Sequence, residues 1–132
     1  MALQLTVVTP ERRVLESEAD EIELPGARGY LGILPGHAPL ITLLGTGVLT
    51  VRKGGSATAL AVSSGLAEVS ADHVSVLADS AEAASEIDAA TAERDRAKAE
   101  EEMKSAGVDT LEEIRTRLEL AQARMTVARA SR

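Results

Sequence analysis

GYLGILPGHAPLITLLGTGV, residues 29–48, carries no formal charge and sets apolar pairs between glycines and prolines. A flexible linker is polar and rich in Gly and Ser. Here Ile33-Leu34 and Leu40-Ile41 alternate with turn residues, as corners between short buried strands require. Gly29, Gly32 and Gly36 can take φ > 0, and Pro35 and Pro39 fix φ at the bends. The segment therefore reads as a built corner of a β structure.

The surrounding sequence has the same period. Leu3, Leu5 and Val7 alternate with other residues, as do Ile22 and Leu24, Leu49 and Val51, and Val74 and Val76. Short alternating runs broken by Gly and Pro point to an all-β sandwich or barrel up to about Ala84. Lys53-Gly54-Gly55-Ser56 has the paired glycines that a tight hairpin turn demands. After Ala84 the texture changes to alanine and charge, with Gly107 as the only glycine and no proline, so this part is expected to be helical. Ser85 is the expected N-cap, with Asp88 in the first turn, and Gly107 the expected C-terminal stop. A second start is expected at Thr110, with Glu113 in the capping-box position. Leu111, Ile114, Leu118, Ala121, Met125 and Ala128 then fall on one face, and the first helix offers Ile87, Ala90, Ala97 and Met103. The organisation expected is an all-β sandwich over residues 1–84, followed by an α-helical antiparallel hairpin over 85–132.

Composition excludes several function classes. With 132 residues there is room for one ordinary domain, or a small one with an appendage. No cysteine is present, so neither disulfides nor thiolate metal sites arise, and His37 and His73 lack ligand-like spacing. A net charge of −7 disfavours nucleic acid and anionic lipid as direct partners. No apolar run approaches the roughly 20 residues needed to span a bilayer. MALQLTVV lacks the basic region and cleavage site of a signal peptide, so the chain is expected to stay where it is made. No G-x-S-x-G elbow occurs, and Gly54-Gly55 is not followed by the Gly-Lys-Ser/Thr of a phosphate cradle, which argues against an independent enzyme.

Gly29 to Leu40 resembles the G-x-L-G-I-L-P-G-H-x-P-L run of the epsilon subunits of rotary F-type ATP synthases. Val8-Thr9-Pro10 and Ser64-Gly65-Leu66-Ala67-Glu68-Val69 are further matches, in the family's order. This resemblance implies a non-catalytic central-stalk subunit that binds the gamma subunit and the c-ring and couples proton-driven rotation to ATP synthesis. It implies a c-ring-facing loop comprising Arg28, Gly29, Tyr30, Leu31, Gly32 and His37, with Tyr30 standing where the family often has an acidic residue. The family's C-terminal helices either fold on the sandwich or extend up the stalk, where they meet the alpha and beta subunits and impede ATP hydrolysis. Extended, the second helix would present Arg115, Arg117, Arg124, Arg129 and Arg132 as a basic edge.

Ile87-Asp88-Ala89-Ala90-Thr91-Ala92 resembles the I/L-D-x-x-R-A motif with which some bacterial members bind ATP. Ile87, Asp88 and Ala92 match and Arg124 aligns with a phosphate-facing residue, but Thr91 replaces the arginine and removes its fork of donors. Weak regulatory ATP binding or none is expected, and no other cofactor. The location implied is the cytoplasmic face of a bacterial cell membrane, peripheral through the complex, or a chloroplast thylakoid. Two rival readings are a nucleotide-sensing adaptor, opposed by Thr91 and Leu120, and a β-sandwich adaptor dimerising through its helical tail, whose helices are short for a heptad seam.

Overall fold

The computed structural model describes residues 2–130, and Arg132 of the expected basic edge lies outside them. Eight strands occur among the described residues. In β1 (Leu3–Val8), Leu3, Leu5 and Val7 are buried while Gln4 is exposed, as period two requires. β2 (Arg13–Ala19) pairs with it, antiparallel. β3 (Glu21–Gly26) buries Ile22 and Leu24 and turns into β4 (Gly29–Ile33). β5 (Leu40–Leu44), β6 (Gly47–Lys53), β7 (Ser56–Ser70) and β8 (His73–Ala83) follow. Leu49, Val51, Val74 and Val76, the remaining alternating positions, are also buried.

The hydrogen-bonded order is β2-β1-β8-β7-β5-β3-β4, with β6 pairing both β3 and β7. β1 runs parallel to β8, and the other pairings are antiparallel. The sheet doubles over because β7 serves both layers: residues 56–62 pair with β6, and residues 65–69 pair with β5. At the crossing, Ser64 has φ 55° and Gly65 has φ 136°. A Cβ on Gly65 would lie 2.0 Å from the carbonyl oxygen of Leu77, so only glycine fits. Gly54 and Gly55, at φ 56° and 84°, close the β6–β7 hairpin as expected. Gly29 and Gly36 also have positive φ, but Gly32 does not; it is an ordinary interior residue of β4 opposite Glu23.

The helical part starts later than Ser85. Ala84–Glu86 form a 3-10 turn and Ile87 is extended, so Asp88 becomes the N-cap of α1 (Ala89–Met103). Its Oδ1 accepts from the Ala90 and Thr91 N–H groups, and its Oδ2 accepts from the Thr91 hydroxyl. Glu86 holds the turn from the other side, accepting the Ala83 N–H and pairing with Arg12. α2 (Val108–Ala130) begins before Thr110: the Leu111 N–H already donates to the Gly107 carbonyl, so Gly107 opens the second helix rather than closing the first. On α1 the buried alanines are Ala92 and Ala99, not Ala90 and Ala97. Both pairs have the same spacing, and packing of α1 against α2 selects between them. α2 buries Ile114, Ala121 and Ala128 on its predicted face, with α1 packed alongside. A second face, Ala123 and Val127, meets Ala61 of β7 and is flanked by Val48, Ala59, Ala84 and Ile87. The hairpin thus lies folded against the sandwich.

Gly65→Ala is expected to destabilise the chain by more than about 2 kcal/mol, because it combines a left-handed φ with a backbone clash, and thermal unfolding measures it. The hinge carries a separate pH signature. Hydrogen bonds from Thr91 and Ala90 hold the Asp88 carboxyl below its usual range, and the Ala83 N–H, then Arg12, do the same for Glu86. A lowered folded-state pKa stabilises the folded hinge above the unfolded value and ceases to do so as pH falls through the folded one. Amide exchange at Ala83, Ala90 and Thr91 is therefore expected to lose protection, beyond its intrinsic pH trend, below about pH 4. Protection unchanged at about pH 3 relative to core amides would contradict this account.

Candidate functional site

The residues expected to form one loop do not do so. Arg28 stands exposed in the two-residue turn between Gly26 and Gly29, whereas His37 lies in the turn after Ile33. β4 separates these turns by its own length, about 16 Å for five extended residues. β4 is also the terminal strand of the sheet order, so Arg28, Gly29, Tyr30 and Gly32 line an edge, while Leu31 packs partly against the core. In the second turn the His37 N–H donates to the Leu34 carbonyl at 3.1 Å, and its ring Nδ1–H donates to the Ala38 carbonyl at 2.7 Å. The Gly36 N–H donates to Asp72 Oδ1 at 3.2 Å, tying that turn to the β7–β8 connection. His37 thus has structural work in this turn.

Tyr30 is 55 % exposed, yet its hydroxyl accepts the Val48 N–H at 3.0 Å. A Cβ on Gly47 would sit 2.5 Å from that hydroxyl, so the bare glycine makes room for the phenol. Glu119, Gln122, Ala123 and Thr126 of α2 line the same hollow as Tyr30.

Ile87, Asp88, Ala92 and Arg124 do come together, around a hollow of about 250 Å³ completed by Glu82, Glu86, Thr91 and Asp95. Its chemistry is acidic. Arg124 is its one cation against four carboxylates, and Arg124 Nε already donates to Glu82 Oε1 at 2.7 Å. Both oxygens of Asp88 are occupied by the cap. A triphosphate entering here would meet repulsion from the carboxylates and find no free guanidinium fork. The other arginines of the expected basic edge are similarly engaged: Arg115 pairs with Glu112 at 3.1 Å and Arg117 with Glu102 at 2.6 Å. Arg129 is exposed, and its charge helps to depress the Glu93 carboxyl, which is held low chiefly by its hydrogen bond from Arg96.

One surface escaped the sequence reading. Leu43, Leu66, Leu77 and Val8 stand opposite one another across β5, β7, β8 and β1, forming an apolar row over four strands. Leu43 is 65 % exposed and Leu77 50 %, with Ile41 nearby at 64 %. Their signal was present in LITLL (residues 40–44), where both faces of β5 are apolar although only Leu40 and Leu44 turn toward the core.

The comparisons with known proteins agree with this architecture. The family model described as ATP synthase, Delta/Epsilon chain, beta-sandwich domain matches residues 2–84. The ATP synthase epsilon chain of Solibacter usitatus is 50 % identical over 72 residues, 54 % of each chain. That of Synechococcus sp. (strain RCC307) is 49 % identical over 75 residues, covering 57 % of this chain and 56 % of the other. The chain spans about half the length of the curated relatives it matches. Among solved structures, a chain of the Euglena gracilis mitochondrial ATP synthase (OSCP/F1/c-ring, rotational state 1) superposes with a TM-score of 0.80 at 22 % identity. That match covers 92 % of this chain, reaching into the helical hairpin, and 78 % of the other. A chain of the Tetrahymena thermophila mitochondrial ATP synthase central stalk/c-ring gives 0.54 at 16 % identity, over 65 % and 69 % of the two chains. At these identities the two superpositions speak for the fold alone. With its matched sandwich making up well over half of its length, the chain belongs to the ATP synthase delta/epsilon chain family.

Proposed function

We propose that this chain is a non-catalytic subunit of the rotor of a proton-transporting F-type ATP synthase, linking the c-ring to the catalytic head. The observation that carries the reading is the apolar row Leu43, Leu66, Leu77 and Val8. A soluble sandwich that leaves a four-strand row of large aliphatic side chains uncovered has a partner for it, because such contiguous patches mark interfaces. The partner is the gamma subunit, docked on this face. The c-ring contact falls to the edge of β4 and its two flanking turns, with Arg28, Tyr30 and His37 as the polar groups available.

No helix among the described residues is long and apolar enough to cross a membrane, which fits peripheral attachment through other subunits. The cytoplasmic face of a bacterial membrane, or the corresponding face of a thylakoid, is where such a subunit works. ATP has at most a weak regulatory role in this reading; the Glu82–Arg124 pair and the occupied Asp88 carboxylate support that. The hairpin restrains hydrolysis when it leaves the sandwich and extends toward the alpha and beta subunits, where Arg115, Arg117, Arg124 and Arg129 exchange their internal carboxylates for those of the partner.

Leu77→Asp places a charge on the exposed row without touching the core. It is expected to leave the melting transition close to that of the parent while weakening association with a purified gamma-containing catalytic head by about tenfold or more. Unchanged affinity would remove the row from the interface. ATP hydrolysis by that head is expected to fall on adding the full chain and to recover with a chain ended after Ala84 that still binds. Failure of the full chain to bind would defeat the assignment.

A further inference from the structure

The hairpin meets the sandwich at a seat built of small residues, and one ion pair stands beside it. Ala61 on β7 lies opposite Glu82 on β8 in the sheet register, and on α2 their contacts are neighbours: Ala123 packs toward Ala61, and Arg124 bonds Glu82. The carboxylate and guanidinium are 26 % and 29 % exposed, the most enclosed cross-element ion pair among the described residues. Glu82 belongs to the last strand of the sandwich and Arg124 to the returning helix, so the pair spans the hinge at residues 84–88. The second ion pair at this junction, Arg12–Glu86, holds the hinge turn to the β1–β2 connection and does not reach α2.

We propose that Glu82 and Arg124 form an electrostatic clasp that keeps the hairpin seated without any bound nucleotide, and that opens when another carboxylate surface or salt takes Arg124 from Glu82. The reasons are physical. Ala61, Ala123 and Val127 are the buried members of the seat and Val48, Ala59, Ala84 and Ile87 pack against them only in part, so packing of mostly small side chains holds α2 weakly. The pair is only partly enclosed, so salt still reaches it, and both groups return to water freely once the helix lifts. The hollow on one side of Arg124 contains Glu86, Asp88 and Asp95 as well, while on its other side it shares a hollow with Lys98 and Arg117, so the guanidinium is drawn to the Glu82 side. A lifted Arg124 would look for carboxylates elsewhere. The clasp is a property of the chain by itself, so its failure would leave the stalk assignment standing.

The chain has no cysteine, which makes site-specific labelling simple. Dyes on Ser70→Cys, at the sandwich end of β7, and Ser105→Cys, at the hairpin tip, report hairpin seating in the full chain by energy transfer. Raising NaCl from about 50 mM to about 1 M, where the screening length falls to about 3 Å, is expected to lower the transfer. At low salt, E82Q and R124Q are each expected to raise the open-to-seated ratio by about fivefold, and the double variant E82Q/R124Q to raise it no further than either single, as a shared contact requires. R124Q lies outside the sandwich core, so an unchanged sandwich melting transition separates release of the hairpin from unfolding. Transfer that is indifferent to salt and to both single substitutions would overturn the clasp. Singles that open and whose effects simply add in the double variant would overturn the pairing.

Discussion

The structure depends on a crossing. β7 enters as a partner of β6, bends at Ser64-Gly65, and leaves as a partner of β5, and without that bend the single sheet could not close over its core. The site is built for close approach of backbone to backbone: the Ser64 N–H donates to the Gly45 carbonyl, and a Cβ on Gly45 would come within 3.0 Å of the Gly26 carbonyl oxygen. The polar groups this brings inside are satisfied, with the buried Ser63 hydroxyl 3.1 Å from that of Thr46. The bend also divides the outward face of β7. Before it, Ala59 and Ala61 are small enough to seat a helix. After it, Leu66 faces outward in the apolar row.

That division sets an energetic hierarchy. Burying a Leu, Ile or Val side chain contributes about 1.5–3 kcal/mol, and the space between the layers holds Leu3, Leu5, Ile22, Leu24, Ile33, Leu49 and Leu60 fully buried. The seat of α2 offers two buried alanines and a valine, with Val48, Ala59, Ala84 and Ile87 only partly buried against them, far less apolar surface than the core holds, before the entropy of ordering the helix is subtracted. Against such a small margin an ion pair of about 1 kcal/mol matters, whereas in the core it would be negligible. The sandwich is therefore the permanent part of the molecule and the hairpin the conditional one. The alanine-rich composition of residues 85–132 serves that difference, supplying helix propensity without supplying grip.

Much of this was legible beforehand, for identifiable reasons. Alternation at Leu3, Leu5 and Val7, or at Val74 and Val76, has one structural solution, and the glycine pair at 54–55 has one turn to make. Helix boundaries were less well determined because several residues compete for each role. Ser85, Asp88, Gly107 and Thr110 are all credible terminators, and a 3-10 turn that no propensity announces decided in favour of Asp88. Ala92 and Ala99 are buried rather than Ala90 and Ala97 because packing against α2, which periodicity alone does not contain, chose between pairs of equal spacing. The stretch from Arg28 to His37 read as one loop because its glycines and prolines are turn residues, but Tyr30 to Ile33 pair with β3 and convert its middle into an edge strand. Glu82 as the partner of Arg124 had no local signal, since contacts across 42 residues follow from topology alone.

Tyr30 is where these levels meet. It is the only aromatic residue of the chain, it sits on the edge strand, and its phenol reaches across Gly47 to take the Val48 N–H at the start of β6. The ring thereby becomes one wall of the hollow whose other wall is Gln122, Ala123 and Thr126 of α2, the stretch that also holds Arg124. A shorter acidic side chain at this position would have fewer atoms with which to span Gly47, and a carboxylate oxygen placed there would face Glu119 of the same hollow. The neutral, long phenol adds no further charge to the hollow beside the seated helix. Thr91, bonded to Asp88 through its hydroxyl, and Arg124, bonded to Glu82, likewise spend their polar groups within the chain beside the seated hairpin.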